Sequence, residues 1–105
     1  MEENTLKFID SRLDGSKRKL NHVCWAAPNG RERSRVAVCL FDTVHILEFK
    51  LTKDSLEDKS SRQVSYKQHR CLDCRWNEDG TVLAVTYVQQ YSKIIALYEE
   101  NIQGE

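Results

Sequence analysis

Apolar residues along this chain fall in short runs bounded by polar breaks. Two hexapeptides open the pattern, LNHVCW at Leu20 to Trp25 and CLDCRW at Cys71 to Trp76. They share the form apolar-x-x-apolar-x-Trp and lie 51 residues apart. A turn containing Gly follows each one, AAPNG ending at Gly30 and NEDG ending at Gly80. Asn, Asp and Gly tolerate the turn backbone and Pro presets φ. After each turn comes an apolar run, RVAVCLF at Arg35 to Phe41 and TVLAVTY at Thr81 to Tyr87. A polar break, Asp42-Thr43 or Gln89-Gln90-Tyr91-Ser92, leads to a third run, VHILEF at Val44 to Phe49 and KIIALYE at Lys93 to Glu99. Leu47-Glu48 and Tyr98-Glu99 are again 51 residues apart. Runs this short, rich in Val, Ile, Leu, Phe and Tyr, predict strands.

The middle strands are apolar on both faces. Val36, Val38 and Leu40 point one way, and Ala37, Cys39 and Phe41 the other. A one-sided sheet would alternate with polar residues, so stacked sheets are expected. Between the repeats, Asp54 to Ser61 reads as a solvated loop, and RQVSYKQ, with Val64 and Tyr66 alternating with polar residues, as an exposed fourth strand. The amino-terminal TLKFIDSRL, with Leu6, Phe8 and Leu13, reads as the matching edge strand before the first unit, and NIQGE carries no packing signal. The expected architecture is all-β: two four-stranded antiparallel units, about 13–66 and 67–100, in one domain spanning 1–105. The alternative is a small β-barrel with a carboxy-terminal helix of the pleckstrin-homology-like kind. Ile94, Leu97 and Tyr98 do fall at helical spacing within Lys93 to Asn101.

The ordered repeat resembles the blades of WD-repeat β-propellers: four-stranded sheets with an apolar-x-x-apolar-x-aromatic first strand, a Pro-Asp-Gly-like turn and a third strand ending near Trp-Asp. Leu47-Glu48 and Tyr98-Glu99 stand at the Trp-Asp positions. Where such blades open with Gly-His, this chain has Ser16 and Lys67, while Asp42 and Thr86 match single members of the family's hydrogen-bonded tetrad. The buried tetrad is therefore not predicted. The resemblance covers residues 13 to 100 as two divergent blades of a partial propeller. It implies a scaffold whose top-face loops, Asp42, Thr43, Gln68, His69, Arg70, Gln89, Gln90 and Tyr91, meet other proteins.

Cys71-x-x-Cys74, with His69 beside it and His22 and Cys24 in the other repeat, raises a zinc site and hence a small zinc-binding module. In a regular strand, however, residues three apart point to opposite faces, whereas zinc knuckles place this spacing in a turn. The repeat sets Cys71 over Leu20 and Cys74 over Val23, which reads both as buried apolar anchors. No metal ligand or cofactor is assigned. Trp25 and Trp76 are read as core aromatics. His22, His45 and His69 have no nucleophile beside them, and no catalytic residue or enzymatic activity is assigned.

Charge narrows the picture further. Sixteen Lys and Arg balance sixteen Asp and Glu, so no net field draws the chain to nucleic acid or to an anionic membrane. Lys17-Arg18-Lys19 reads as a solvated basic loop, and Ser60-Ser61-Arg62 as an exposed segment. VAVCLF falls far short of the roughly 20 residues a membrane helix needs. The acidic MEENTLKFID lacks the apolar core of a secretory signal, which predicts a soluble cytoplasmic or nuclear protein. Two units cannot close a propeller of typically 4 to 8 blades. Val36, Val38 and Leu40 on one side, and Val85 and Tyr87 on the other, are expected on open outer faces. Closure then comes from other protein subunits or from self-association through those faces. A specific partner is preferred, because the two units differ at most positions.

If Cys74 is an apolar anchor, Cys74→Val folds as stably as the parent in urea unfolding, while Cys74→Asp loses several kcal/mol by burying an unpaired charge, on the order of 3 or more. Destabilisation by Val as large as by Asp would refute the anchor assignment.

Overall fold

The computed structural model describes residues 20–27, 33–53 and 55–100. The amino-terminal edge strand, the Ser16 position, the Lys17-Arg18-Lys19 cluster, the Pro28-Asn29-Gly30 turn and the NIQGE tail lie outside them. Seven strands form two antiparallel meanders: β1 (Leu20–Trp25), β2 (Ser34–Leu40), β3 (Val44–Leu51) and β4 (Leu56–Val64) make sheet A, and β5 (Arg70–Trp76), β6 (Val82–Gln89) and β7 (Ser92–Glu99) make sheet B. The second unit thus has three strands among the described residues, not four. Those residues form no helix, hence none long and apolar enough to cross a membrane. The stretch whose spacing admitted a helix is β7, paired with β6 along its whole length from Val82↔Glu99 to Gln89↔Ser92, and the sheets do not close into a barrel.

The two sheets repeat the same pairing. Trp25 stands opposite Val36 and Val36 opposite Leu47, just as Trp76 stands opposite Leu83 and Leu83 opposite Tyr98. Both first strands also carry an irregularity at the same place, between Leu20 and His22 in β1 and between Cys71 and Asp73 in β5. The extra residue, Asn21 or Leu72, reverses the alternation, and residues three apart come to share a face. Cys71 and Cys74 therefore point the same way, contrary to the regular-strand expectation, and both are buried. This is the physical content of the apolar-x-x-apolar spacing.

Sheet B lays that face on sheet A. Cys71, Cys74, Leu83, Val85 and Tyr87 pack against Ala37, Cys39, Val44 and Ile46, with Cys24, Val64, Tyr66 and Trp76 at the margins. Val85 and Tyr87 are thus interior, not on an outer face. The opposite face of sheet A holds a second cluster, Val36, Val38, Leu40, Leu47 and Phe49, also withdrawn from solvent, so the expectation of an open face fails there too. Trp25 is not a core residue. It is 61% exposed and meets Phe49 edge-on, with ring centroids 5.9 Å apart. Phe41 lies beyond the end of β2 and is exposed.

The span read as a solvated loop, Asp54 to Ser61, is mostly strand: β4 starts at Leu56 and ends at Val64, before Tyr66. Between its two half-buried ends every residue is exposed. An edge strand held by backbone bonds to β3 needs no apolar alternation, and polar residues protect its free edge from further pairing.

Polar ties fix how the sheets meet. Asn21 Nδ2 donates to the Cys71 carbonyl at 2.8 Å, the Cys71 amide to the Phe41 carbonyl at 2.9 Å, and the Trp76 indole N–H to the Cys24 carbonyl at 3.2 Å. Arg35, on β2, is buried with its guanidinium 4.6 Å from the Trp76 ring centroid and Nη1 3.7 Å from Glu100 Oε1. Arg62 of β4 grips the same carboxylate through both oxygens at 3.1 Å. Gly80 makes room for this clasp: its φ is +74°, and a Cβ there would sit 2.8 Å from Arg35 Nη2.

Gly80→Ala is expected to destabilise the fold by about 2 kcal/mol or more, from the left-handed backbone and from displacement of a buried guanidinium. Urea unfolding measures this, and an unchanged midpoint would disprove the clasp.

Candidate interaction surface

Three connections reach the same end of the two sheets: Phe41 to Thr43 after β2, Ser65 to His69 before β5, and Gln90-Tyr91 between β6 and β7. The meander dictates this, since alternate turns of an antiparallel sheet share an end. The first is closed by Leu40 N donating to Thr43 O at 2.9 Å, and it meets β5 through the Cys71 amide on Phe41 O. The Arg70 guanidinium lies 5.7 Å from the centroid of the exposed Phe41 ring.

The second connection is strained. His69 N donates to Tyr66 O at 2.8 Å across Lys67 and Gln68, whose φ values are +48° and +58°. Two left-handed central residues define a type I′ turn, which normally takes Asn or Gly. Gln90 is left-handed as well, at +51°. Three of the four non-glycine residues with positive φ among those described thus lie at this end.

His69 anchors the cluster from below. It is 8% exposed and meets the Tyr66 ring edge-on at 5.4 Å; Tyr66 in turn lies 5.6 Å from Tyr87. The Tyr87 and Tyr98 hydroxyls are 2.8 Å apart, and burial first, then this bond, raise the Tyr87 pKa. The His69 Nδ1 atom has no hydrogen-bond partner among the described residues.

Of the eight sequence-predicted positions, Gln68, His69, Arg70, Gln89 and Gln90 line one open depression of about 520 Å³, together with Lys67 and Val88. Asp42 and Thr43 lie outside the lining, after Phe41, whose ring the lining residue Arg70 faces. Tyr91 is fully exposed at the tip of its turn, outside the lining. Lys67, Val88 and Phe41 were missed. The cationic type of Lys67, next to Gln68 in the same break, was the only signal for any of them. No family model matches the chain, and no curated protein matches it.

The cysteines belong to the packing. Among the described residues no three His, Cys, Asp or Glu side chains gather to hold a metal ion. The Cys71 thiol points at the carbonyls of Leu40 and, at 3.3 Å, Thr43, and the Cys74 thiol at Ala37 O, 3.8 Å away. Hydrogen bonds with Cys71 and then Cys74, with burial added, push the Cys39 thiol up and keep it neutral. His22 Nε2 faces Asp73 Oδ1 at 3.1 Å, apart from these thiols.

Gln68→Gly is expected to raise stability by roughly 0.5–1 kcal/mol, a few degrees in Tm, because Gly adopts positive φ without steric cost. Thermal unfolding checks this, and a lower Tm would contradict the turn geometry.

Proposed function

We propose that this chain is a non-enzymatic scaffold or adaptor subunit, a two-sheet stretch of a WD-repeat-like β-propeller that holds other proteins within a cytoplasmic or nuclear complex. The observation that carries the reading is the gathering of five of the eight loop positions around one open depression, on a turn whose backbone is strained. Strain of order 1–3 kcal/mol per residue concentrates where a binding surface must hold a fixed shape.

The lining gives the partner a chemistry. It contains two cations, Lys67 and Arg70, with the amides of Gln68, Gln89 and Gln90 and no carboxylate. A polar segment of a partner protein that carries carboxylates suits it, since Arg pairs such groups bidentately. Loops that do not enter the packed face are free to vary in sequence and to set the partner, while the sheets hold them in place.

The test is to identify what co-purifies with the chain, then measure the affinity of each partner for variants altered at Asp42, Thr43, Gln68, His69, Arg70, Gln89, Gln90 and Tyr91. Arg70→Ala is expected to weaken binding most, by about tenfold or more, as central Arg anchors do. If all eight substitutions leave every partner bound, the loop surface is not the site.

A further inference from the structure

The two sheets meet through one contact, and the chain displays unused copies of both its halves. Equivalent register sets Leu20, Val23 and Trp25 of β1 in the places of Cys71, Cys74 and Trp76 of β5, the residues that seat sheet B on sheet A. The same register sets Ala84, Thr86, Ile95 and Leu97 on sheet B in the places of Ala37, Cys39, Val44 and Ile46, the surface on which they are seated. Neither unused half is covered: Leu20 is 55%, Val23 45% and Trp25 61% exposed, and Ile95 is 67% and Leu97 69% exposed.

The second set forms a continuous face. Ala84 stands opposite Leu97 and Thr86 opposite Ile95, with Val82 and Val88 extending the same side of β6. The only charges on this side of β7 are at its ends, Lys93 opposite Val88 and Glu99 opposite Val82. On β5 the same side carries Asp73 opposite Thr86 and Arg75 opposite Ala84, so the uncharged part of the face is confined to β6 and β7. No described strand pairs with the free edge of β7.

We propose that a second copy of this chain occupies the Ile95–Leu97 face, with its own Leu20, Val23 and Trp25 stripe seated there as Cys71, Cys74 and Trp76 are seated on sheet A. This deepens the protein-binding reading and rests on it, but uses the sheet faces and not the loops. The contact is heterologous, so each dimer keeps one free stripe and one free face, and association continues head to tail until a ring closes. Val36, Val38, Leu40 and Leu47, the neighbours of the stripe, are already withdrawn from solvent, which confines the contact to β1 and keeps it small. Interfaces below about 1,200 Å² are of the weak, transient class.

Sedimentation equilibrium of the whole chain tests this. The mass is expected to rise above 12.3 kDa with concentration in the micromolar range, and Val23→Glu or Leu97→Glu to abolish the rise. Mixed together, the two variants are expected to form a species of two chains and no larger, because one supplies an intact face and the other an intact stripe. Should either variant lose its strand circular dichroism, Trp25→Ser or Ile95→Lys takes its place. A monomer mass throughout, or variants that do not complement, overturns the proposal. Gln68→Ala, in the loop turn and off the sheet faces, leaves the mass behaviour unchanged if the proposal holds, so failure of the loop reading and failure of this one are read separately.

Discussion

Cys71 and Cys74 reach the same side of β5 only because the strand takes in one residue more than its partner at Leu72. The seating of both thiols on sheet A follows from that. Had β5 been regular, one thiol would face sheet A and the other would stand on the far side beside Thr86 and Ile95, and the face of Leu83, Val85 and Tyr87 would lose its inner margin. A bulge also bends and twists a strand, and β1 carries the same one at Asn21. The repeat is thus a repeat of backbone geometry as well as of side-chain type.

Hydrophobic burial alone would let the sheets slide, since it has no direction. Direction comes from bonds that cross between them: the Trp76 indole on Cys24 O, the Asn21 amide on Cys71 O, and the Glu100 carboxylate held by Arg35 and Arg62. A buried guanidinium is costly unless charge and donors are met. The Arg35 charge lies against the Trp76 ring and 3.7 Å from a Glu100 oxygen, in a space kept open by a glycine. Packing and polar ties enforce one relative placement, and at the loop end the β4–β5 connection and the end of β6 with its turn line one depression.

The strands of the packed core were legible because Val, Ile, Leu, Phe and Tyr cluster in short runs, and the offset of 51 residues correctly paired Leu47 with Tyr98 across the repeat. β4 was not legible. Glu57 to Gln63 is polar throughout, and backbone pairing with β3 leaves no trace in side-chain type. The bulge left a trace in the x-x spacing of Leu20–Val23 and Cys71–Cys74, but strict alternation misreads that trace as two faces. Trp25 and Trp76 hold equivalent places, yet Trp25 is exposed and Trp76 half-buried, because only one of them has a described sheet laid against it. At the loop end, five residues converge as the meander requires. The left-handed backbone of Lys67 and Gln68 was hidden, since neither residue type favours it.

One bulged strand face joins the two sheets, and nuclear Overhauser contacts in the isotope-labelled chain report on it. Cross-peaks are expected from the Cys74 β-protons to Ala37, from the Cys71 amide to Phe41 and from the Trp76 indole proton to Cys24. Contacts to sheet A from Cys74 without Cys71, or from neither, would mean that β5 runs unbulged or that the sheets do not stack.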